Sequence, residues 1–283
     1  MRRLLPPNIL YDAYTVPATC PQPSTLTRIA WKLRYASASR NFPLTDNERR
    51  LNALHNRYSG ERCFIIGGGP SLNQQDLTLL KNEYTFGVNA IYTNYDRMGF
   101  YPTFFVVEDT FVAEDRAAEI NAFKGSQKFF GNYFRYCLEP DQQTLWLNVI
   151  FDFRDYPDFP HFSENALRKV WVGGTVTYLC MQLAFYLGFD EVYLIGFDHS
   201  YQIPTSAIVE GNDIVSTGDD PNHFNADYFG AGKRWHDPRL DRMEKAYSKA
   251  RKHFEAAGRI IHNATHGGHL EIFKRTAYSE LFA

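Results

Sequence analysis

The chain has 283 residues, and its 30 Lys and Arg nearly balance its 32 Asp and Glu, which leaves a formal net charge of −2. This balance excludes a molecule-wide field that attracts nucleic acid, so any anion site must be local. A chain of this length has room for one large domain with a modest appendage, and it can bury roughly three-quarters of its unfolded surface.

The positions of the cysteines and the hydropathy of the sequence indicate the compartment in which the protein occurs. The four cysteines lie far apart without a C-x-x-C pair, the N-terminus lacks the apolar run of a signal peptide, and no stretch approaches the length of an apolar spanning helix. We therefore expect a reduced, cytoplasmic protein, either free or at the inner face of the membrane.

Residues 1–58 are polar and basic and carry no strong strand pattern, which predicts an N-terminal arm or helical cap. Arg28, Lys32, Arg34 and Arg40 could face an anionic partner, although a solvated basic helix face is the commoner explanation for such a pattern.

From Arg62 onward, short apolar runs alternate with amphipathic stretches, which is typical of β-α-β units. We predict a Rossmann-like α/β domain over residues 59–283, with a mostly parallel sheet and helices on both faces. The predicted strands are Cys63–Ile66, Thr85–Val88, Thr103–Val107, Lys128–Phe130, Leu145–Ile150, Glu191–Ile195 and Arg259–His262.

Two helices are predicted with their ends. Residues 175–187 are apolar nearly all round, which predicts a helix buried against the sheet and ended by Gly188 in a left-handed turn. Residues 237–257 are amphipathic, with Asp237 as the predicted cap, Pro238 in the first turn and Gly258 at the end.

Residues 199–236 lack periodicity and are dense in Gly, Asn, Asp and Pro. A segment this long between two confident elements is usually a binding loop or a lid. We predict that residues 199–236 form a lid.

The first predicted strand runs directly into a glycine-rich turn in RCFIIGGGPSL. Glycines let backbone N–H groups approach an anion, and a helix that follows would point its positive end at the same place. Gly67, Gly68, Gly69 and Ser71 are therefore predicted to bind a nucleotide phosphate, with a purely structural tight turn as the alternative.

Two common nucleotide motifs fail on these residues. A dinucleotide fingerprint needs a glycine where Leu72 stands and an acidic residue where Asn89 stands, and a Walker loop needs a Gly-Lys-Ser/Thr triplet that is absent. Hydride transfer and P-loop hydrolysis are therefore disfavoured.

Polar residues at strand ends and at a second glycine turn extend the predicted site. Asn89 suits a base edge or a sugar hydroxyl, and Asp109, beside Glu108, suits a ribose, a metal or an acceptor hydroxyl. Gly174 and Thr175 open the buried helix and suit an anion. A turn or capping role is the alternative for each.

Candidate catalytic groups follow the sixth predicted strand and occupy the lid. Asp198 and Tyr201 come directly after the strand, where either catalysis or a structural bond to loop amides would explain Asp198. His223 and His236 are the lid histidines and the candidate general bases.

The last predicted strand leads into a loop that contains Asn263 and Thr265, which we predict to face the nucleotide. A zinc site from His262, His266 and His269 is disfavoured because their spacing falls in a glycine-broken turn rather than on one helix face. No metal site is therefore predicted there.

The order of these motifs resembles that of the 6-hydroxymethylpterin diphosphokinase-like domain family. GGGPSL follows the first strand, an asparagine ends the second, GGT opens a buried helix, and LGFDEVYLIGFDHSY and NATHGG come later. The same order is similar to that of bacterial sialyltransferases that use CMP-activated sugars. The resemblance covers residues 60 to about 275.

The resemblance implies a Rossmann-like domain with a lid, which holds its nucleotide without a Walker motif. It places around the nucleotide and donor Gly67, Gly69, Ser71, Asn89 and Thr175. In the sialyltransferases a lid histidine is the base and tyrosines steady the leaving phosphate, a region that Tyr201 matches loosely. Ala231 stands where that histidine would align, so His223 or His236 would have to replace it.

Three functions stay open at this point. The first is glycosyl transfer from a nucleotide-sugar donor, a CMP-sugar in the leading hypothesis, to a glycan or small-molecule acceptor in surface glycan synthesis. The second is ATP-dependent diphosphoryl transfer to a hydroxymethylpterin, which would need Mg²⁺ at Asp109 and Asp198. The third is a nucleotide-binding domain without catalysis. No nucleic-acid partner is expected, and peripheral membrane association and homo-oligomerisation stay open.

Overall fold

The computed structural model describes residues 16–151 and 160–283, apart from residue 18. The described helices are α1 (Thr25–Ala38), α2 (Asp46–Asn52), α3 (Tyr95–Met98), α4 (Thr110–Asp115), α5 (Ala117–Ala122), α6 (Val176–Leu187) and α7 (Leu240–Ala256). The described strands are β1 (Arg62–Ile66), β2 (Tyr84–Val88), β3 (Phe104–Val107), β4 (Gln127–Gly131), β5 (Thr144–Leu147), β6 (Val149–Ile150), β7 (Val170–Trp171), β8 (Glu191–Ile195), β9 (Ile208–Glu210), β10 (Asp213–Val215), β11 (Arg234–His236), β12 (Ile260–Asn263) and β13 (Lys274–Arg275).

Eight of these strands form the central sheet in the order β13-β12-β8-β1-β2-β3-β4-β5, and every neighbouring pair is parallel. The inner strands read as continuous apolar runs because both faces of the sheet are covered, as in β1, where four of five residues are buried. The predicted Rossmann-like α/β fold is confirmed.

The strand order reverses direction between β1 and β8. The chain builds outward from β1 through β2 to β5 and then returns to the other side of β1 with β8. In open parallel sheets the loops at the carboxyl ends of two such strands part and leave a crevice. This crevice positions the candidate site.

The long buried helix α6 is confirmed, since eleven of its twelve residues are buried. Gly188 ends it with a φ of 99°, a left-handed conformation that favours glycine. At its other end Thr175 caps the helix by accepting a hydrogen bond from the Thr177 N–H.

The amphipathic pattern predicted for helix α7 places Leu240, Met243, Tyr247, Ala250 and Phe254 on one side, and all of them except the half-buried Leu240 are buried. Its predicted start is wrong, because the helix begins at Leu240 with Arg239 at the cap position and no side-chain cap. The backbone N–H of Asp237 instead donates to the Asn212 carbonyl and so belongs to the lid.

The predicted strand Leu145–Ile150 is also wrong as a single element. Strand β5 ends at Leu147 in the central sheet, while β6 pairs with β7 in a separate two-stranded sheet. Asn148 lies between them, and its side chain donates to the Arg168 carbonyl. The sequence is apolar on both sides of Asn148, so it does not show where the strand leaves its sheet.

The N-terminal segment is helical and packs on the domain. The Asn47 side chain of α2 donates to the Trp146 carbonyl and accepts from the Trp146 N–H, at 2.9 and 2.7 Å. It thereby occupies the free edge of β5. Leu51 and Leu54 belong to the same hydrophobic core as the sheet. No helix among the described residues is long and apolar enough to cross a bilayer.

The lid contains the three-stranded antiparallel sheet β11-β10-β9. Arg234 of β11 fixes this small sheet to α4, with bonds to Asp115 at 3.0 Å and to Glu114 at 2.9 Å. The lid therefore lies against the central domain through a charged contact.

Candidate functional site

A cavity of about 170 Å³ lies at the crevice beside β1 and β8 and is roofed by the lid. It brings together most of the residues predicted from sequence: Gly67, Gly68, Gly69, Asn89, Asp109, Gly174, Thr175, Asp198, Tyr201, His223 and His236. Ligand pockets usually exceed about 300 Å³. The volume therefore describes a closed arrangement in which the lid fills part of the crevice.

The glycine loop binds mainly to its own protein. The N–H groups of Gly67 and Gly69 donate to the carbonyls of Ile195 and Gly196, at 2.8 and 2.9 Å. The N–H of Gly68 donates to no described residue. A Cβ atom on Gly67 would lie 2.5 Å from the Gly196 carbonyl oxygen. These glycines are therefore explained by close strand packing, and Gly68 carries the one N–H of the three left for a ligand.

Asp198 occupies the end of this loop. Its carboxylate accepts from the Ser71 hydroxyl at 2.6 Å and from the Ser71 N–H at 3.2 Å. The segment Pro70–Gln74 that follows is a short 3-10 helix rather than the predicted α-helix. Ser71 is buried, so both residues join the two loops of the crevice, which is the structural role weighed for Asp198.

His223 lies directly over the glycine loop. A Cβ atom on Gly68 would be 2.6 Å from the Cδ2 atom and 3.5 Å from the Nε2 atom of His223. The lid is tied down beside it, because the Phe224 N–H donates to the Gly68 carbonyl at 2.8 Å. The imidazole therefore lies beside Gly68 and faces the cavity.

Asp220 orients this histidine. Its Oδ2 atom lies 2.7 Å from His223 Nδ1, and the carboxylate also accepts from the N–H groups of Asn222 and Phe229. Because a carboxylate only accepts, Nδ1 carries the proton and Nε2 becomes the acceptor. Tyr228 stacks on the ring at 4.1 Å and holds its plane. This arrangement is that of a positioned general base.

A second imidazole is held by Asp109. Asp109 caps α4 with one oxygen and binds His236 Nδ1 with the other at 2.9 Å, while the ring stacks on Phe111. Burial lowers the pKa of His236, but the hydrogen bond and charge of Asp109 and the charge of Asp213 outweigh it and raise that pKa. His236 is thus suited to carry a positive charge in the site.

Glu108 adds an acid at the same strand end. Burial, and after it the charge of Asp109, raise the pKa of Glu108 to about 7, against the opposing effects of Arg242 and His236. A carboxyl that titrates near neutrality can hold or release a proton under working conditions.

Asn89 offers an unused acceptor. Its φ of 52° is left-handed, a conformation that asparagine tolerates better than most residues, and its N–H donates to the Val106 carbonyl. The Oδ1 atom is buried and has no hydrogen-bond partner. A buried acceptor left without a partner is costly, so a donor on a bound ligand would stabilise it.

The start of α6 supplies positive potential. Gly174, with a φ of 84°, and Thr175 lead into the helix at the cavity wall. The side chain of Arg242 lies over Gly174, where a Cβ atom would be 3.1 Å from Arg242 Cδ. A helix N-terminus beside a guanidinium favours an anion. The predicted anion site is therefore better placed here than at the glycine loop.

Tyr201 lines the cavity wall with 39% of its surface exposed, and an ordinary tyrosine hydroxyl has a pKa of about 10. The hydroxyl therefore stays protonated at neutral pH and can donate a hydrogen bond to a ligand oxygen.

Asn263 and Thr265 do not reach this cavity. They line a second one of about 540 Å³, and their side chains hold loops together. Asn263 donates to the Leu270 carbonyl and accepts from the Thr265 N–H, and the Thr265 hydroxyl accepts from the Phe197 N–H. The structure therefore gives both residues a scaffolding role in place of contact with a ligand in the lid-covered cavity.

The predicted magnesium ligands do not fit a shared ion. Asp109 uses its oxygens for α4 and His236, and Asp198 uses its oxygens for Ser71. Among the described residues no cluster of three His, Cys, Asp or Glu side chains could hold a metal.

Three contributors to the site were missed from sequence. Asp220 orients His223, and Tyr228 stacks on the ring of that histidine. The positive charge of Arg242 acts on Glu108 and lowers its pKa. The spacing of Asp220 and His223 in DPNH was a local signal for a turn that brings two polar side chains together. Nothing local marked Arg242 among the other charges of α7.

The sequence also matches a known protein family. The profile of the family described as 6-hydroxymethylpterin diphosphokinase MptE-like matches residues 38–204. The chain belongs to this family. The match includes the glycine loop, Asn89, Asp109, Thr175 and Asp198, whereas the lid histidines lie beyond its end.

Other comparisons are more distant. This member of the MptE-like family is 16% identical to the MAf glycosyltransferase from Magnetospirillum magneticum AMB-1, with a TM-score of 0.46. The similarity covers 91% of this chain and 42% of that one, so the chain spans less than half of that protein. No curated protein matches it.

Proposed function

We propose that this MptE-like protein is a nucleotide-dependent transferase that moves a glycosyl group from a CMP-activated sugar to an acceptor hydroxyl. The observation that carries the proposal is the Asp220–His223 pair, whose free Nε2 faces the cavity above Gly68. The family is named for a transferase, which supports the general class. The cytidine nucleotide, the acceptor and a role in surface glycan synthesis are the specific parts of the proposal.

The reaction needs one proton transfer and one exchange of C–O bonds. The acceptor oxygen forms a bond to the anomeric carbon, the bond from that carbon to the phosphate oxygen breaks, and CMP leaves with the electron pair. The acceptor proton passes to His223 Nε2, and Asp220 stabilises the imidazolium that forms. The departing phosphate gains negative charge, which the N-terminus of α6 and Arg242 stabilise.

Recognition of the base is assigned to Asn89. Its buried Oδ1 acceptor fits an amino group such as that on cytosine, and it lies at the cavity beside the lid. The Tyr201 hydroxyl, which is protonated at neutral pH, donates to a phosphate or sugar oxygen.

Calorimetric titration with CMP tests the nucleotide assignment. Asn89→Gly, which suits the left-handed backbone, should weaken CMP binding about tenfold or more because it removes the acceptor. Asn82→Gly, in the exposed turn that precedes the same strand, is the matched control and should bind like wild type. Absence of CMP binding in the wild type would contradict the proposal.

Diphosphoryl transfer from ATP is the second candidate, and the family description favours it. The two carboxylates expected to hold Mg²⁺ are each bound to protein donors, which weighs against it. Formation of AMP from ATP with 6-hydroxymethylpterin and Mg²⁺, without CMP binding, would establish this candidate instead. Tight nucleotide binding without any turnover would leave a non-catalytic binding domain.

A further inference from the structure

Helix α1 carries an apolar stripe that faces away from the protein. Leu26, Ile29 and Leu33 are 79%, 50% and 64% exposed. The side of α1 that packs on the domain is marked by the buried Tyr35 and Ala38. Successive residues of a helix are rotated by about 100°, which places Leu26, Ile29 and Leu33 together on the side opposite Tyr35 and Ala38.

Basic residues accompany this stripe in a segment of the sequence that contains no acidic residue. No Asp or Glu occurs between Asp12 and Asp46, whereas Arg28, Lys32, Arg34 and Arg40 all lie there. Arg34 pairs with Glu48 at 2.6 Å. Within the described part of the chain, the other three basic residues form no ion pair: Arg28, Lys32 and Arg40.

We propose that α1 docks this protein on an anionic lipid bilayer, with Leu26, Ile29 and Leu33 inserted at the interface and Lys32 beside them against lipid phosphates, while the exposed Arg28 adds positive charge farther round the same helix. An amphipathic helix that joins an apolar stripe to basic flanks lies in the plane of such a surface. This surface is independent of the lid-covered cavity and of the reaction proposed for it.

Charge favours a bilayer over a second copy of the chain. A two-fold contact through the same stripe would bring the basic flanks of both copies together, because such interfaces are self-complementary. Neither copy offers an acidic residue of α1 to neutralise them. An anionic bilayer matches both the apolar stripe and the positive flanks.

Co-sedimentation with vesicles tests the inference. The wild-type protein should bind vesicles of phosphatidylglycerol and phosphatidylcholine at low salt, and bind pure phosphatidylcholine vesicles about tenfold or more weakly. The triple variant Leu26→Ser, Ile29→Ser, Leu33→Ser should lose binding to both. Ile208→Ser, a comparably exposed residue of β9, is the control and should bind like wild type.

A charge variant keeps the test informative if the triple variant is poorly folded. Arg28→Gln with Lys32→Gln should weaken binding to the anionic vesicles about tenfold, and salt should remove the difference from wild type. Absence of wild-type binding would overturn the inference. So would a wild-type dimer, seen by sedimentation velocity, that the triple variant dissociates without any vesicle binding in either protein.

Discussion

Three imidazoles line the cavity and each is paired with a carboxylate, His199 with Glu244 at 3.1 Å. The other two pairs differ in what they depend on. Asp220 and His223 both belong to the lid, so their bond at 2.7 Å persists when the lid moves. Asp109 belongs to the central domain and His236 to the lid, so their bond at 2.9 Å exists only with the lid closed. The Asp220–His223 pair can therefore keep a base oriented without help from the central domain. The Asp109–His236 pair forms only where the lid contacts the central domain.

The protonation of Glu108 should make the stability of the protein depend on pH. The pKa of Glu108 is about 7 in the folded protein, against about 4.3 for an ordinary glutamate, so folding favours its protonated form. The associated stability is complete below about pH 4 and is lost as the pH rises through about 7. Glu108→Gln should remove this loss.

Urea unfolding at pH 5 and pH 8 checks the prediction. Between these values the wild type should lose about 1–3 kcal/mol more than Glu108→Gln does. Glu139→Gln changes an exposed glutamate and should follow the wild type. Identical pH dependence in wild type and Glu108→Gln would show that Glu108 does not titrate in this range.

Individual site residues were predictable where the fold itself collects them. Asn89, Asp109, Thr175 and Asp198 stand at strand ends or at a helix start, and parallel sheets bring those ends together. Asp220 was missed as a partner of His223 although the DPNH spacing signalled a turn, because the surrounding lid residues carry no periodic pattern that shows which side chains are buried. The Asp109–His236 contact joins positions 127 residues apart.

At the scale of elements, β11 acts as a latch between the lid and α4. Arg234 bonds Asp115 and Glu114, and His236 bonds Asp109. The charged groups that face His236 are Asp109, Asp213 and Glu108, which together raise its pKa despite burial, and the ring of Phe111 stacks on it. The charged form of His236 therefore holds the latch.

The latch should weaken with rising pH. Since the folded pKa of His236 is raised, its contribution is complete below about 6.5 and is lost as the pH passes the folded value. Amide hydrogen exchange of β9 to β11 should therefore accelerate more between pH 6 and pH 8.5 in the wild type than in His236→Gln. The ratio of the two proteins at each pH removes the intrinsic effect. A constant ratio would contradict the latch.

Elements were predicted well where burial sets the pattern. The inner strands and α6 are apolar because they are covered on all sides, so their sequences identify them. The lid strands β9 to β11 were missed because each has three residues and β9 is fully exposed. The end of β5 was missed because Asn148 turns the chain through a side-chain bond to a residue 20 positions away.

At the scale of the whole molecule, the site joins two parts of the chain. Residues 38–204, which match the family, supply the sheet, the glycine loop and the start of α6. The lid segment beyond residue 204 supplies Asp220, His223 and His236, and α7 supplies Arg242. The family match therefore describes the binding frame, and the proposed base comes from the segment outside it.

In the proposed reaction, His223 removes the acceptor proton above the glycine loop. The direct measurement is the initial rate of CMP release from CMP-N-acetylneuraminate in the presence of a sugar acceptor, compared between wild type and His223→Ala. We predict a fall of about 10²–10⁴-fold with unchanged CMP affinity, and a smaller fall for Asp220→Asn. A His223→Ala protein that releases CMP at the wild-type rate would contradict the account.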